Sequence, residues 1–208
     1  MLIDISPPLG PSLAVWPGDS PLTRELLLDL ARGDSVTLST LRATVHLGAH
    51  ADAPSHYGPG TPDIAGRALE LYLGPCEVRR VAVPRGGCIT PDLLAGPSLA
   101  PRILFATGTY PDPQRFNEDF AALSPGLVDH LHASGVRLVG IDTPSVDPFA
   151  SKELPAHRRI LAHDMAILEG LVLSDVPEGA YELIALPLKL MQADASPVRA
   201  VLRQIEAY

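Results

Sequence analysis

Three of the seven histidines and an aspartate fall within one short stretch, His46-Leu47-Gly48-Ala49-His50-Ala51-Asp52-Ala53-Pro54-Ser55-His56. Imidazole nitrogen and carboxylate oxygen are the donors that bind zinc and related divalent metals. The spacing can be tested against regular backbone. On an α-helix His46 and His50 share a face, but Asp52 points away from it. On one straight strand all four polar residues share a face, yet His46 and His50 stand about 13 Å apart, too far to meet on one ion. Gly48 and Pro54 interrupt both forms. The stretch therefore predicts a strand running into a tight, glycine-relieved loop that curls the side chains around one point.

The pattern resembles the signature of the metal-dependent cyclase-like hydrolases, His-x-Gly-Thr-His-x-Asp-x-Pro-x-His, with Ala49 where the wider family has Thr. Alanine there is a feature of one branch, the bacterial kynurenine formamidases, which this chain also resembles at Trp16-Pro17-Gly18-Asp19, Leu138 to Pro148, Ala166 to Leu171, Leu186-Pro187-Leu188-Lys189 and Asp194 to Leu202. Residues 84–125 match that branch poorly. The resemblance implies a metal set of His46, His50, Asp52, His157 and Glu169, holding two divalent ions, with zinc the expected metal. It further implies Trp16 at the substrate; His56, one turn of loop beyond the ligands, carries an imidazole that suits a general acid/base. The implied reaction is hydrolysis of N-formyl-L-kynurenine to L-kynurenine and formate in tryptophan degradation, by a metal-bound hydroxide. A pair of ions sharing Asp52 and Glu169 would lower the pKa of a bound water from 15.7 to about 7. Two other readings compete. One is a cyclase-family hydrolase acting on a cyclic amide or lactone, as an isatin hydrolase does. The other is a metal-binding module without catalysis, although structural sites are usually closed and rich in cysteine.

Composition narrows the classes. A chain of 208 residues, 46% hydrophobic, can bury a sizeable core as one domain spanning 1–208. A net charge of −8 without a basic run argues against nucleic acid or an anionic membrane as partner. No apolar stretch reaches the roughly 18–20 residues of a membrane span, and the N-terminus lacks the basic-then-apolar pattern of a signal peptide. Cys76 and Cys88 form no Cys-x-x-Cys pair, so free thiols in a reducing cytoplasm are expected. A catalytic cysteine has no nearby histidine in sequence to activate it.

The elements that must position these residues alternate only in part, which predicts a mixed-sheet α/β domain rather than a doubly wound one. The family resemblance implies a swivelling β/β/α fold with a partly barrel-like sheet and flanking helices, and a homodimer or higher homo-oligomer. Predicted strands include Leu2–Ser6, 22–31, 35–46, Cys76–Val83, Arg102–Ala106, Gly135–Asp142, Ala166–Leu173, Tyr181–Ala185 and Pro197–Ile205. A parity shift between Val36/Leu38 and Leu41/Ala43/Val45 suggests a bulge or bend before the metal loop. Helices are expected after Thr90, with Thr90 as N-cap, after Ser124, and over 155–164. His130 and His132 read as surface residues, and His163 as structural or supporting. Asp142, at a strand end, suits turn or capping duty as well as a site. Glu169 sits inside an apolar run, where it needs a cation or donors unless it lies on an exposed edge. Trp16 reads either as core packing or as a flat wall for an aromatic substrate.

Overall fold

The computed structural model describes residues 1–96, 98 and 100–204. Among the described residues, thirteen strands and three α-helices follow one another: β1 (Leu2–Asp4), β2 (Thr23–Leu28), β3 (Leu38–Arg42), β4 (His50–Asp52), α1 (Pro54–Tyr57), β5 (Leu73–Arg80), β6 (Cys88–Ile89), β7 (Arg102–Ala106), β8 (Ala122–Leu123), α2 (Pro125–Ala133), β9 (Leu138–Ile141), α3 (Pro155–Ala162), β10 (Ala166–Glu169), β11 (Gly179–Ile184), β12 (Ala195–Pro197) and β13 (Val201–Gln204). Nine strands form one mixed sheet in the order β1-β13-β11-β5-β7-β9-β10-β4-β12. Its centre, from β5 through β7 and β9 to β10, is parallel. Both flanks are antiparallel. The sheet curls into a half barrel with helices on one side, as the resemblance implied.

Parallel central strands are covered on both faces and read as continuous apolar runs. All five residues of β7 are buried. Ile103 and Phe105 face α2 and α3, where Leu127, Val128, Leu131 and Ile160 close one core. Leu104 and Ala106 face the concave side with Tyr72, Leu168 and Leu183. Truncating one such leucine to alanine costs about 2–5 kcal/mol, so these two cores hold the sheet that carries the site.

Several expectations change in detail. The segments predicted extended over 22–31 and 35–46 shrink to β2 and β3, which pair as a separate two-stranded hairpin. Its register irregularity lies between Leu26 and Leu28, not beside the metal loop. The predicted last strand is two strands: β12 pairs with β4, whereas β13 lies between β1 and β11. Its final residue, Ile205, lies outside the described residues. The helix after Thr90 is a 3-10 turn over Pro91–Leu93, and the Thr90 side chain makes no capping bond. Ser124 does cap α2, accepting from Leu127 N.

Candidate metal centre

The metal loop runs in the reverse order from the one predicted. His46 lies in irregular backbone, Gly48 turns the chain with a left-handed φ of 59°, and only then does β4 begin at His50. Strand β4 is an interior strand of the flank, between β10 and β12. Alternation along it separates two chemistries. Ala49, Ala51 and Ala53 go into the concave core, while His50 and Asp52 share the opposite face. Register then supplies the partner. In the antiparallel pairing of β10 with β4, Glu169 stands directly across from His50. On the other side Asp52 stands across from Ala195, whose small side chain leaves room. Glu169 is thus on an interior strand and 3% exposed, so the edge-residue reading falls. Gly170 ends β10 with φ 65°, and a Cβ on it would lie 2.2 Å from the Gly48 carbonyl oxygen. The turn before His50 and the turn after Glu169 can touch because position 170 has no side chain.

His157 arrives from the first turn of α3. Asp147 places it. Asp147 is fully buried, accepts from Ala156 N (2.9 Å) and His157 N (3.0 Å), and faces His157 Nδ1 at 2.7 Å. One carboxylate thereby satisfies two open amides of the helix start and orients the imidazole. The segment between β9 and α3 also holds Glu169, through Val146 N to Oε1 at 2.8 Å.

The nitrogen accounting points to a cation. Each of three imidazoles has one nitrogen committed to an acceptor outside the cluster. His50 Nδ1 faces the Gly48 carbonyl at 2.8 Å, His157 Nδ1 faces Asp147, and His46 Nε2 faces Asp194 Oδ2 at 3.0 Å. An acceptor needs a proton opposite it, so in the neutral rings the other nitrogen carries the lone pair. Those lone pairs face carboxylates. His50 Nε2 is 3.4 Å from Asp52 Oδ1 and 3.3 Å from Glu169 Oε2. His157 Nε2 is 3.4 Å from Asp52 Oδ2 and 3.7 Å from Glu169 Oε1. His46 Nδ1 is 3.1 Å from Asp52 Oδ1. Lone pair against carboxylate is repulsive unless a cation lies between. Four of the six buried side-chain atoms without a hydrogen bond among the described residues belong here: His50 Nε2, His157 Nε2 and both oxygens of Asp52. Donor spacings of 3.1–3.7 Å match the edge of a tetrahedron with bonds of about 2.1 Å, which is about 3.4 Å. The residues fit a divalent metal.

The protonation state without an ion tells the same story. Burial opposes charge on His46, yet Asp52, with Asp194 and Glu169, pushes it up to about 9. Burial likewise opposes charge on His157, and its contacts with Asp147 and Asp52, with Glu169 nearby, raise it to about 10. For Asp52 burial works against the carboxylate, while His157 and His46 draw it well below the ordinary range. Protons there occupy the place of a cation, so metal binding must displace them.

Two overlapping donor groups share Asp52. One is His50, Asp52 and Glu169; the other is His46, Asp52 and His56. His56, on α1, lies closer to the cluster than its sequence distance suggested, with its ring centroid 4.3 Å from that of His46 and Nδ1 3.3 Å from Asp194 Oδ2.

The cluster opens onto a cavity of about 550 Å³ lined by His46, His50 and His56 at one side and by Trp16, Tyr110 and Phe116 at another. Trp16 both packs against aromatic neighbours and borders the cavity. Its ring packs 4.9 Å from Phe149 and 5.5 Å from Phe116, while the residue stays 37% exposed on the cavity. Asp142 takes the capping role: it accepts from Thr107 N and Gly108 N at 2.8 Å each and from the Thr107 hydroxyl at 2.6 Å. Its bonds hold the Gly108 turn against the cavity. His163 bonds Asp129 at 2.8 Å and stacks on His132, so it is structural. Burial pushes the Cys76 thiol up to about 12, which leaves it an inert core residue.

The family model described as "Putative cyclase" matches residues 3–148. A curated kynurenine formamidase of Bordetella petrii is 47% identical over 206 residues, covering 98% of each chain. This chain belongs to the cyclase family. Among solved structures, one described as a potential metal-dependent hydrolase with cyclase activity superposes with a TM-score of 0.83 at 28% identity, covering 97% of this chain and 96% of that one. Isatin hydrolase A from Labrenzia aggregata, bound to benzyl benzoate, gives a TM-score of 0.83 at 22% identity over 97% and 93% of the two chains, a likeness of fold. Against this cyclase-family background the fold brings together all five predicted ligands and His56. Sequence reasoning overlooked four residues. Asp147 and Asp194 were signalled only as members of the matching blocks Leu138 to Pro148 and Asp194 to Leu202. Tyr110 and Phe116 lie in the poorly matching 84–125 region and had no signal.

Proposed function

We propose that this cyclase-family chain is a kynurenine formamidase, hydrolysing N-formyl-L-kynurenine to L-kynurenine and formate. The observation that carries the reading is the set of inward lone pairs on two buried carboxylates beside an aromatic-walled cavity. The near-half identity to the Bordetella enzyme over the whole length supports the substrate. His46, His50, Asp52, His157 and Glu169 would hold two divalent ions, zinc by preference, with Asp52 common to both donor groups. Bound there, the metal supplies Lewis acidity toward a carbonyl oxygen and makes water acidic enough to react near neutral pH.

The chain's own residues do the rest. Trp16, backed by Phe116 and Phe149, offers its exposed ring as a wall for the aryl group. The surrounding apolar lining excludes bulk water and strengthens every charge contact within. As water adds to the formyl carbon, the C–N bond breaks, and the departing arylamine nitrogen needs a proton. His56 lies on the cavity wall and outside the buried carboxylate pair; in this reading it takes a proton from water and returns it to that nitrogen.

Residues 1–208 act as one hydrolase unit in this reading, in line with the 98% coverage of the relative. Homodimer or larger assembly is supported by the β2–β3 hairpin, whose Leu27, Leu38 and Leu41 are 49%, 49% and 63% exposed. A cytoplasmic setting is supported by the two free cysteines; no helix among the described residues is long and apolar enough to cross a membrane.

The test uses purified protein with N-formyl-L-kynurenine and isatin side by side. Kynurenine release, abolished by exhaustive chelation and restored by Zn²⁺, is the expected result. Isatin turnover without formamide turnover, or full formamide activity in metal-free protein, would overturn it.

A further inference from the structure

Of the three residues that hold site imidazoles from outside, Asp147 is fully buried and Gly48 is half-buried. The third, Asp194, is half exposed and serves two rings with one oxygen. Its Oδ2 lies 3.0 Å from His46 Nε2 and 3.3 Å from His56 Nδ1. The backbone sets this position. Strand β12 pairs with β4 so that Ala195 opposes Asp52. The preceding residue, Asp194, then falls beside the start of α1, where its carbonyl accepts from Ala53 N at 2.8 Å. The neighbouring carbonyl of Ala193 accepts from Ile64 N at 3.0 Å, and Gln192 N donates to Asp63 Oδ2. Asp194 and Ala193 are therefore anchored by main chain at both ends of the segment that carries His56, which sets where the Asp194 side chain starts.

We propose that Asp194 is the positioning residue for His56: by accepting from Nδ1–H it fixes the tautomer in which Nε2 carries the lone pair. This rests on the proton-transfer role assigned to His56 above. The reasoning is stereochemical. A carboxylate oxygen only accepts, so the Nδ1 facing it must carry hydrogen. A neutral imidazole has one N–H, so Nε2 is the base. The same oxygen takes the Nε2–H of His46, whose other nitrogen faces Asp52. One atom thus orients a ring that faces the buried carboxylates and a ring that works on the cavity side. An aspartate is suited to this because a single oxygen with two lone pairs accepts both bonds.

Four variants of the zinc-loaded protein test it: D194A, D194N, H56A and the double variant H56A/D194A. Nitrogen-15 NMR of the imidazoles reads the tautomer without any turnover. Wild type should show His56 protonated on Nδ1, D194N should retain that state because an amide oxygen can accept both bonds, and D194A should lose it. Zinc affinity, measured against a chromophoric chelator, should fall no more than about 10–100-fold in D194A, the usual cost of removing such a partner. At saturating zinc, kcat for the formamide should fall about 10–100-fold in D194A, recover largely in D194N, and be no lower in the H56A/D194A double variant than in H56A alone. An unchanged His56 tautomer in D194A, or losses that multiply in the double variant, would overturn the proposal. If H56A keeps full activity while D194A still loses the Nδ1–H state, the positioning stands and the catalytic role of His56 fails.

Discussion

Strand β4 and the β2–β3 hairpin invert the usual rule in opposite directions. All three residues of β4 are buried, and two of them are ionisable. None of the hairpin's strand residues is buried, and several are leucines. Burying polar groups without partners costs several kcal/mol, and leaving several leucines of one short hairpin in water forgoes the gain of burying them. The buried donors of β4 fit a cation, since the inner nitrogens of His50 and His157 face the carboxylates of Asp52 and Glu169. The exposed leucines of the hairpin fit the assembly proposed above, in which an apolar surface would cover them. Hydropathy alone would have exchanged the two regions.

The comparison breaks most sharply at Glu169. Glu169→Gln removes one of the two charges that demand a cation, and a neutral amide bridges poorly. We expect metal content to fall and kcat to drop roughly 10³-fold or more, about 4 kcal/mol of barrier. An active variant with its full metal complement would show that the buried polar face needs no ion.

His56→Ala tests where the polar face ends and the reacting face begins. Metal and fold should be retained while kcat falls about 10²–10⁴-fold on the formamide. An ester with a good leaving group needs little protonation, so its rate should fall less. Loss of metal with activity would make His56 a ligand, as its membership of the second donor group allows.

Gly170→Ala sharpens the contrast by pairing it with Gly33→Ala. Both glycines have positive φ, but only at Gly170 would a Cβ meet backbone, at 2.2 Å from the Gly48 oxygen; around Gly33 nothing lies within 4 Å. Gly33→Ala should cost about 1–2 kcal/mol from conformation alone. Gly170→Ala adds overpacking and should cost roughly 2–4 kcal/mol. It should also weaken zinc binding, because the displaced carbonyl holds His50. Thermal melts and zinc titrations of both proteins decide this; equal effects on metal would mean that the back-to-back contact does not set the site.

The smallest effect is expected in the hairpin. Leu41→Glu should change monomer stability by no more than about 0.5 kcal/mol, as for other exposed positions, yet shift the protein toward monomer in light scattering. An unchanged mass would place the interface elsewhere.

Much of the centre was legible because its donors are concentrated. His46, His50, Asp52 and His56 lie within one stretch, and spacing alone excluded a helix or a straight strand. Glu169 was conspicuous as the one carboxylate in an apolar run, because an isolated buried charge needs a reason. Trp16 stayed ambiguous in sequence, and the structure shows why: one face packs on Phe149 while the ring still borders the cavity. The direction of the metal loop was misread because glycine at 48 permits a turn on either side of a strand, and only the pairing of β4 with β10 and β12 decides which side is regular.

Residue types and local spacing by themselves determined that this chain gathers metal donors, that its sheet is mixed, and that its core is large enough to support them. Tertiary structure alone decided which distant groups complete the site. Glu169 meets His50 through antiparallel register, His157 is aimed by Asp147 across the β9–α3 connection, and Asp194 reaches His46 and His56 from a strand near the other end of the chain. No local pattern encodes those pairings, because they depend on strand order and on which face each side chain takes, and both follow from packing the two cores around the whole sheet.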